Sequence, residues 1–390
     1  MSDTVLKKNN GLTKISFKRL LIFYFLFIYL ALFLIVDLPH LQIWRNSGHD
    51  GVNNPLLEQT LGVSELSFAD KTSLPENNDL TALLIVGIDT RNAVIKDGEF
   101  ISQNPRSDNS VYTRNTDTIM QAVYDHRTGN ILMISIPRDS GIDIRKDCLS
   151  FKGAINQAYV RGQRSNCEGK GIQVLKDTVE SVTGIKSQYH VFVSLDAFEE
   201  VIKVVGETNA KGEVGIVVDN PKDTWDVYPV DTGWVNVYFP KGRLFLTPYR
   251  ALQYARTRQY TSDFDRAERQ QLIVEAVIKR FLSSDVMLNP AKINELMETY
   301  KSKLIFSEPK DLGELMTMID LARQIDMEKI YHVVLDPEFG GHEKFLNKAP
   351  HDRPGPYYMV PTAWKECPGN EFCKVQERIQ EILVDPDLIE

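Results

Sequence analysis

The chain has 390 residues, of which 43% are hydrophobic and 25% charged, so its composition is that of a globular protein with one large domain or two smaller ones. Its formal net charge is -8, but the first 36 residues hold five basic groups and one acid, which leaves 40 basic against 52 acidic residues, a net charge of -12, in the rest. An acidic body of this kind argues against nucleic acid as the main partner.

The first predicted element is an apolar helix near the N-terminus. Residues 20–36 (LLIFYFLFIYLALFLIV) carry no charge, and these seventeen residues would rise about 26 Å as a helix, the short end of what spans a bilayer. Basic residues precede the run and Asp37 follows it, so the positive-inside rule places the N-terminus in the cytoplasm and the rest outside. A cleaved signal peptide would have small residues after the run, and a buried core helix would have a polar face, but the sequence has neither. The prediction is an uncleaved, single-pass signal-anchor helix over residues 20–38 in the cell membrane.

The anchor divides the chain into five predicted segments. Residues 1–19 form the cytoplasmic N-terminal segment, and residues 39–79 form an extracytoplasmic stalk because positions 45–79 are rich in Asn, Ser, Gly and acidic residues. Residues 80–365 form the folded domain, and residues 366–390 form a C-terminal tail with a short helix.

Three apolar runs rich in β-branched residues open the folded domain. They predict strands over Ala82–Ile88, Thr118–Tyr124 and Ile131–Ile136. The sequence DHRTGN joins the second run to the third and predicts a hairpin turn. Strand-like and helix-like segments then alternate, which predicts an α/β layered fold around a central sheet.

The later segments continue this alternation. Helices are predicted over residues 171–183, 196–205, 291–300 and 309–324, and strands over residues 188–194, 214–218, 331–336 and 357–361. Thr247 as N-cap and Pro248 as first residue predict another helix start, and a longer helix is predicted over Asp263–Phe281. Its buried side is predicted to hold Ile273, Ala276, Val277 and Phe281.

The four cysteines form two local pairs, Cys148 with Cys167 and Cys367 with Cys373. An even number of cysteines outside the membrane favours two disulfides. A zinc site is one alternative, but the spacings match no usual zinc pattern and no histidine lies close to either pair. Free buried thiols are the other alternative.

Charged residues stand at the ends of the first three predicted strands. Asp89 and Arg91 follow the first strand, Asp117 precedes the second, and Arg138 follows the third. If the first two strands are antiparallel, both aspartates fall at one edge of the sheet, and the hairpin returns Arg138 to that edge. Two carboxylates beside arginines suit magnesium and a polyphosphate. The alternative is that the aspartates only cap loops.

Arginines are concentrated further along the chain, within residues 247–271. The stretch holds Arg250, Arg256, Arg258, Arg266 and Arg269. Guanidinium groups match phosphate oxygens, and the spacing places Arg266, Arg269 and Gln270 on one helix face. Lys152 adds a further candidate donor. This pattern favours a phosphate site, and the alternative is a solvated helix face whose arginines pair with Asp263, Asp265 and Glu268.

Several motifs occur in an order that matches a known family. They are LLIVGIDTR, TDTIM, ILMISIPRDS, AINQAY, TVESVTGI and YARTRQYTSDFDRAERQQ. The chain resembles the LytR–CpsA–Psr family of membrane-anchored cell-wall enzymes from Leu83 to about Phe281, about half of its length, and weakly as far as Pro361. The resemblance implies a three-layer α/β/α sandwich with a central mixed β-sheet, preceded by one transmembrane helix. It makes residues 80–365 the catalytic domain.

The resemblance also implies a phosphotransferase. Such an enzyme moves a glycopolymer from polyprenyl pyrophosphate onto a peptidoglycan hydroxyl and releases polyprenyl phosphate. The implied partners are the lipid-linked glycan, peptidoglycan and the membrane, and the implied cofactor is magnesium, or manganese. By motif, Asp89 and Asp117 resemble the metal ligands. The residues that resemble the pyrophosphate-binding set are Arg91, Arg138, Lys152, Arg256, Arg258, Arg266, Arg269 and Gln270, of which Arg138, Arg256, Arg258 and Arg266 would be catalytic.

Three features depart from the family pattern. Asn115 stands where the family has arginine, with Arg114 one residue earlier. The loop between Asp89 and Asp117 is long and polar. Asp265 stands where the family has a small residue, and a carboxylate there is expected to pair with the neighbouring arginine at position 266 and weaken its hold on phosphate.

Two alternative functions remain at this point. A hydrolase would cleave the lipid pyrophosphate with water as acceptor, and a non-catalytic envelope-binding or regulatory protein could keep the same fold. The sequence has no GxSxG, HExxH or P-loop motif, so a transfer reaction would proceed by direct attack of an acceptor hydroxyl. The largely intact set of arginines favours the enzyme over the regulator.

Overall fold

The structure is a computed structural model. It describes residues 79–90, 93–96, 99–102, 115–230, 233–287, 321–340 except 323, 346–348, 359–361, 367 and 369–389, with short stretches between 289 and 307. The predicted cytoplasmic segment, anchor helix and stalk up to residue 78 lie outside these residues, as does most of the predicted helix over 309–324. Six of the ten residues predicted as a helix over 291–300 are described, and all six are helical. No helix among the described residues is long and apolar enough to cross a membrane.

The described elements follow the chain in this order. The strands are β1 (Leu80–Ile88), β2 (Ala93–Lys96), β3 (Glu99–Ser102), β4 (Thr116–Asp125), β5 (Ile131–Ser135), β6 (Gly141–Lys146), β7 (Leu149–Ala154), β8 (Tyr189–Ser194), β9 (Glu207–Thr208), β10 (Val214–Asn220), β11 (Thr224–Val230), β12 (Gly233–Phe239), β13 (Gly242–Leu246), β14 (Leu304–Phe306), β15 (Ile330–Val334), β16 (Leu346–Lys348) and β17 (Met359–Pro361). The helices are α1 (Ala158–Gln163), α2 (Lys170–Thr183), α3 (Leu195–Val205), α4 (Pro248–Arg256), α5 (Asp263–Phe281), α6 (Ser284–Met287) and α7 (Cys373–Val384).

Six strands form a mixed central sheet in the order β14–β8–β1–β4–β5–β15. β1 is antiparallel to β4 and parallel to β8, and β5 is antiparallel to β4 and parallel to β15. The hairpin predicted between the second and third apolar runs is therefore confirmed. The mixed sheet also confirms the predicted α/β class.

Helices cover both faces of this sheet. Alternate residues of β1, including Leu84 and Val86, pack in one core with Val179 of α2 and Ile379 of α7. On the other face, Met120 and Met133 form a smaller core against α5. Because α7 shares the main core, the C-terminal tail is part of the folded body.

A second core lies beside the sheet and fixes the arginine-rich helices. α3, α4 and α5 pack there on β10, β13 and the antiparallel pair β11–β12, with Tyr254 and Ile273 fully buried. The middle of α5 contributes Ile273 to this core and Val274 to the smaller sheet core, and Phe264 in its first turn packs against the main core of the sheet. The predicted inward position of Phe281 is wrong: it is 39% exposed, because it is the last residue of α5.

Both predicted cysteine pairs are disulfides. Cys148–Cys167 ties the turn between β6 and β7 to the connection before α2, and Cys367–Cys373 closes the start of α7. No free cysteine occurs among the residues that the structure covers. The hairpins β6–β7 and β11–β12 were not predicted from the sequence.

Candidate functional site

Three strand ends meet at one edge of the central sheet. β1 and β4 are antiparallel, and Ile88 pairs with Thr116, so Asp89 and Asp117 lie at the same edge, as their spacing predicted. Arg138, which follows β5, donates from Nη1 to Asp117 Oδ1 at 2.7 Å. The sequence-based placement of these side chains at one edge is therefore found in the structure.

Close backbone packing holds this edge in place. The pairing of β1 with β4 shifts between Gly87 and Ile88, and a Cβ atom at Gly87 would lie 2.8 Å from Thr118 Oγ1. The buried Thr116 donates its hydroxyl to the Asn156 carbonyl at 3.3 Å, and the Asn156 backbone N–H donates to the Arg138 carbonyl at 3.1 Å. Asn156 thus supports the site through its main chain.

Arg256 joins the site from the last turn of α4. Thr247 caps this helix by accepting from the Arg250 backbone N–H, and Pro248 is the first helical residue, as predicted. Arg256 donates from Nη2 to Asp89 Oδ1 at 3.1 Å and from Nη1 to the Tyr228 hydroxyl at 3.0 Å. The backbone becomes extended at Thr257, directly after the helix.

A buried carboxylate that the sequence analysis did not identify organises the link between α4 and α5. Asp226, on β11, is 2% exposed. Its Oδ1 accepts from the backbone N–H groups of Gln259 and Tyr260 at 2.9 and 3.2 Å, and its Oδ2 accepts from Thr261 Oγ1 at 3.1 Å. This link carries Arg258, so Asp226 sets the path of the chain between two of the candidate arginines.

Asp265 does not pair with Arg266 as expected. It closes a capping box with Ser262 at the start of α5 and forms an ion pair with Lys222. Burial favours its neutral form, but hydrogen bonds from Lys222 and Ser262 outweigh burial and lower the pKa of Asp265 to about 2. An acidic residue is favourable in the first turn of a helix, so this departure from the family pattern serves the helix start.

Asp263 is the carboxylate that the arginines share. Its oxygens lie 3.0 Å from Arg266 Nη2, 3.3 Å from Arg258 Nη1 and 3.8 Å from Arg138 Nε. Arginine–carboxylate pairing, the alternative reading of the cluster, is therefore present. These ion pairs form within the group of arginines that lies at the edge of the central sheet.

Arg266 is the most deeply buried arginine of this group, with its side chain 7% exposed. Burial lowers the pKa of Arg266 to about 10, although Asp263 opposes the effect, so the side chain stays charged at neutral pH. Its Nη2 also donates to the Asp117 carbonyl at 3.1 Å. Buried Nε atoms of Arg138 and Arg266 have no hydrogen-bond partner among the described residues. Nη1 of Arg269 is likewise buried and unpaired among the described residues. Unpaired buried donors are costly, so an anion that accepts hydrogen bonds from the Nε atoms of Arg138 and Arg266 would be favoured.

Arg269 and Gln270 have different contacts from the other candidates. Arg269 is 3% exposed and donates to the carbonyls of Tyr254, at 2.8 Å, and Thr257. Gln270 donates to the Ala255 carbonyl at 3.0 Å. These are the carbonyls at the end of α4, so both side chains fix the turn that carries Arg256.

The two remaining candidates do not join the cluster in the structure. Lys152 lies on β7 opposite Asp143, its side chain is 69% exposed, and its ammonium group is 3.9 Å from the Asp143 carboxylate. Arg91 lies outside the described residues, as does Arg114.

Asp89 and Asp117 are suited to a metal ion that is completed by substrate. Each has one oxygen bonded to an arginine, and the second oxygen of each has no hydrogen bond to any described residue. No group of three or more His, Cys, Asp or Glu side chains that could hold a metal occurs in the described part of the chain. Magnesium commonly uses one or two carboxylates together with phosphate oxygens and waters, so two carboxylates fit such an ion when a phosphorylated ligand is bound.

Comparisons with known proteins agree on one family. A family model described as the LytR_cpsA_psr family matches residues 57–340. The Bacillus subtilis (strain 168) protein named polyisoprenyl-teichoic acid--peptidoglycan teichoic acid transferase TagV is 35% identical over 185 residues, which are 47% of this chain and 42% of that protein. A protein with the corresponding name TagU, from Halalkalibacterium halodurans, is 30% identical over 205 residues, 52% of this chain and 53% of that protein. The match thus spans about half the length of these curated relatives.

The fold comparison gives the same result. The crystal structure of B. subtilis TagV superposes with a TM-score of 0.52 and 25% sequence identity, covering 78% of this chain and 98% of that one. The mixed sheet with helices on both faces is therefore shared with that structure.

Proposed function

This chain belongs to the LytR_cpsA_psr family, and from this membership and the geometry of the site we propose that it transfers a glycopolymer from polyprenyl pyrophosphate to a peptidoglycan hydroxyl. The oxygen of the acceptor hydroxyl forms a bond to the phosphorus that carries the glycan, the hydroxyl proton passes to water, and the bond from that phosphorus to the bridging oxygen breaks. Polyprenyl phosphate leaves, and the product is a glycan joined to peptidoglycan through a phosphodiester.

The observation that carries this proposal is the group of arginines at the edge of the central sheet. Arg138, Arg256, Arg258 and Arg266 each lie within 4 Å of an aspartate of the same edge or of the first turn of α5. A pyrophosphate carries several negative oxygens, and planar guanidinium groups bind such oxygens through paired hydrogen bonds. Positioning and charge neutralisation are the main catalytic terms in phosphoryl transfer.

We assign different roles to the side chains of this site. Arg138 and Arg266, whose Nε atoms are buried and unpaired among the described residues, would bind the oxygens of the phosphorus under attack. Arg256 and Arg258, at the more exposed side, would bind the leaving phosphate. Asp89 and Asp117 would hold magnesium, or manganese, which when bound supplies positive charge for the phosphate oxygens. Arg269 acts as a positioning residue because its described bonds hold the end of α4.

The proposal includes a location. Residues 20–38 would anchor the protein in the cell membrane with the catalytic domain on the extracytoplasmic side, where a polyprenyl-linked donor and peptidoglycan are both accessible. The basic residues before this run support that orientation.

The test is transfer by the full chain in lipid nanodiscs, with a synthetic polyprenyl-pyrophosphate glycan and peptidoglycan fragments, in magnesium or in EDTA. The expected product is a glycan–phosphate–peptidoglycan adduct that forms only with the metal. Arg138→Ala and Arg256→Ala should each lower the rate about 100-fold, since each removes a charged donor to the transferring group. Arg145→Ala removes an arginine that is 78% exposed on β6 and is the matched control.

Three results would contradict the proposal or part of it. Unchanged transfer in both Arg138→Ala and Arg256→Ala would show that these arginines do not take part in the reaction. Free glycan phosphate without adduct would identify a hydrolase. Undiminished transfer in EDTA would remove the metal from the reaction.

A further inference from the structure

One surface beside the site is unusually rich in exposed aromatic side chains. We call it the ribbon, meaning the antiparallel pair β11–β12. Trp225 and Trp234 are 64% and 63% exposed, and Tyr238 is 37% exposed. Directly opposed residues of an antiparallel pair share a face. The outward face therefore consists of the pairs Trp225–Tyr238, Val227–Asn236 and Pro229–Trp234.

The outward face has no charged residue, and two of its aromatic rings stack on each other. The rings of Trp225 and Tyr238 stack with centroids 4.0 Å apart and planes 22° from parallel, and the Tyr238 hydroxyl donates to Asp223 at 2.9 Å. None of the six outward residues is charged, although the chain carries a net charge of -8. A contiguous exposed aromatic face on a soluble body marks a contact surface.

The opposite face of the ribbon belongs to the phosphate-binding site. Tyr228 faces inward, is 3% exposed, and accepts a hydrogen bond from Arg256. Asp226, also inward, holds the link that carries Arg258. The outward aromatic side chains and the arginine contact of Tyr228 therefore lie on opposite faces of the same two-stranded ribbon.

We propose that the outward face of the ribbon docks on the surface of the lipid bilayer. Tryptophan and tyrosine combine an apolar ring with a polar N–H or O–H, which is why both are enriched at membrane–water interfaces. The inference rests on the proposed function, which supplies both the membrane anchor and the donor. The phosphates of a polyprenyl-linked donor lie at the level of the lipid headgroups. Docking through the ribbon would bring the arginines to that level and let the donor enter without leaving the membrane.

The length of chain before β1 supports the bilayer as the occupant. About 40 residues separate the predicted anchor helix from β1. In the proposed function the anchor holds the folded domain near the bilayer, so the ribbon would meet the membrane at a high effective concentration. Under those conditions a few interfacial aromatic side chains suffice, because docking is intramolecular and needs little affinity of its own.

The position of the ribbon can be measured without turnover. Of the four tryptophans, Trp44 and Trp364 are replaced by phenylalanine in the full chain, so that fluorescence reports Trp225 and Trp234 alone. Nanodiscs of phosphatidylcholine and phosphatidylglycerol then carry a spin label on the lipid headgroup. Docking predicts at least twofold quenching by the labelled lipid and protection from iodide in the water.

Activity with two forms of donor gives the second readout. Trp225→Asp with Trp234→Asp should lower transfer about tenfold from a donor embedded in the nanodisc, because burying two charges opposes docking. Transfer from a water-soluble short-chain donor should be unchanged. Val384→Asp is the matched control, since Val384 is 68% exposed at the end of α7.

Each contrary result has a defined meaning. Absence of lipid quenching, or quenching equal for labelled and unlabelled lipid, overturns docking. Iodide protection that requires peptidoglycan fragments instead of lipid would make the ribbon a glycan-binding surface and also overturn it. An equal loss with both donors would show that the ribbon acts on the chemistry itself. If the parent protein transfers neither donor, the proposed function fails, while the quenching result still decides docking.

Discussion

The replacement Asp226→Ala tests how strongly the site depends on the buried carboxylate that holds the link between α4 and α5. The side chain is 2% exposed and accepts three hydrogen bonds from the link between α4 and α5, two from backbone N–H groups and one from a threonine hydroxyl. Bonds to a charged acceptor contribute about 1.5–3 kcal/mol each. Gln259 and Tyr260 are exposed, so water can form hydrogen bonds with the backbone N–H groups that the replacement leaves without an acceptor. We therefore expect a net loss of about 2–3 kcal/mol, well below the sum of three bonds.

This loss should be visible in both stability and activity. For a folded domain of about 300 residues the entropy of unfolding is about 0.6 kcal/mol/K, so 2–3 kcal/mol lowers Tm by about 3–5 °C. Transfer should fall about tenfold at a temperature where the variant is folded, because Arg258 is no longer held in place. The assays are calorimetric melting and transfer from the nanodisc donor.

Two further variants make the result interpretable. Asp226→Asn keeps an acceptor oxygen for the two N–H groups, so it should retain most of the stability. Asp219→Ala removes an exposed aspartate from the neighbouring β10 and should change neither quantity. If Asp226→Ala melts and transfers like Asp219→Ala, Asp226 does not hold the link between α4 and α5.

Three other outcomes follow from the structure. Burial, with a smaller effect of nearby Lys176, lowers the pKa of His190 to about 4. The neutral imidazole therefore contributes stability above pH 6.5 that should be lost as the pH falls towards 4. Urea unfolding across this range should show the loss in the parent protein and a smaller loss in His190→Gln. Hydrogen bonds lower the pKa of Asp265 to about 2, so its contribution to the free energy of unfolding should be present above about pH 4 and be lost towards pH 2. Acid unfolding of Lys222→Ala should show a smaller loss of stability over that interval. Replacing Cys148 and Cys167 by serine should lower the free energy of unfolding by about 2–4 kcal/mol, measured in denaturant, and equal stability would contradict a structural role for the bridge.

Much of the fold was predictable where one strong local signal was present. β1, β4 and β5 are continuous apolar runs, and α5 has the predicted bounds because a serine cap and a long helical period agree. The ribbon was missed for the opposite reason. Its strands mix exposed aromatic residues, Pro229 and the buried Asp226, so no apolar alternation indicates an inward face. That face is created by partners distant in sequence.

The candidate site was predictable as a location but only partly as a set of roles. Strand direction alone brought Asp89, Asp117 and Arg138 together. Helical spacing placed Arg266 and Arg269 on one face, but it could not show that the first reaches Asp117 while the second bonds to the end of α4. Those contacts depend on how α5 crosses the sheet, which the sequence period does not specify.

The carboxylates of the site explain how four arginines can lie close together. Guanidinium groups at this separation repel one another, and Arg266 also loses hydration through burial. Asp263 offsets both effects by contacting three of them at 3.0–3.8 Å. A pyrophosphate carries more charge than one carboxylate and can reach the buried Nε donors that Asp263 leaves unpaired. Under the proposed function a pyrophosphate would therefore replace these internal contacts without leaving the arginines uncompensated, and the same carboxylates would compete with it and keep its binding reversible.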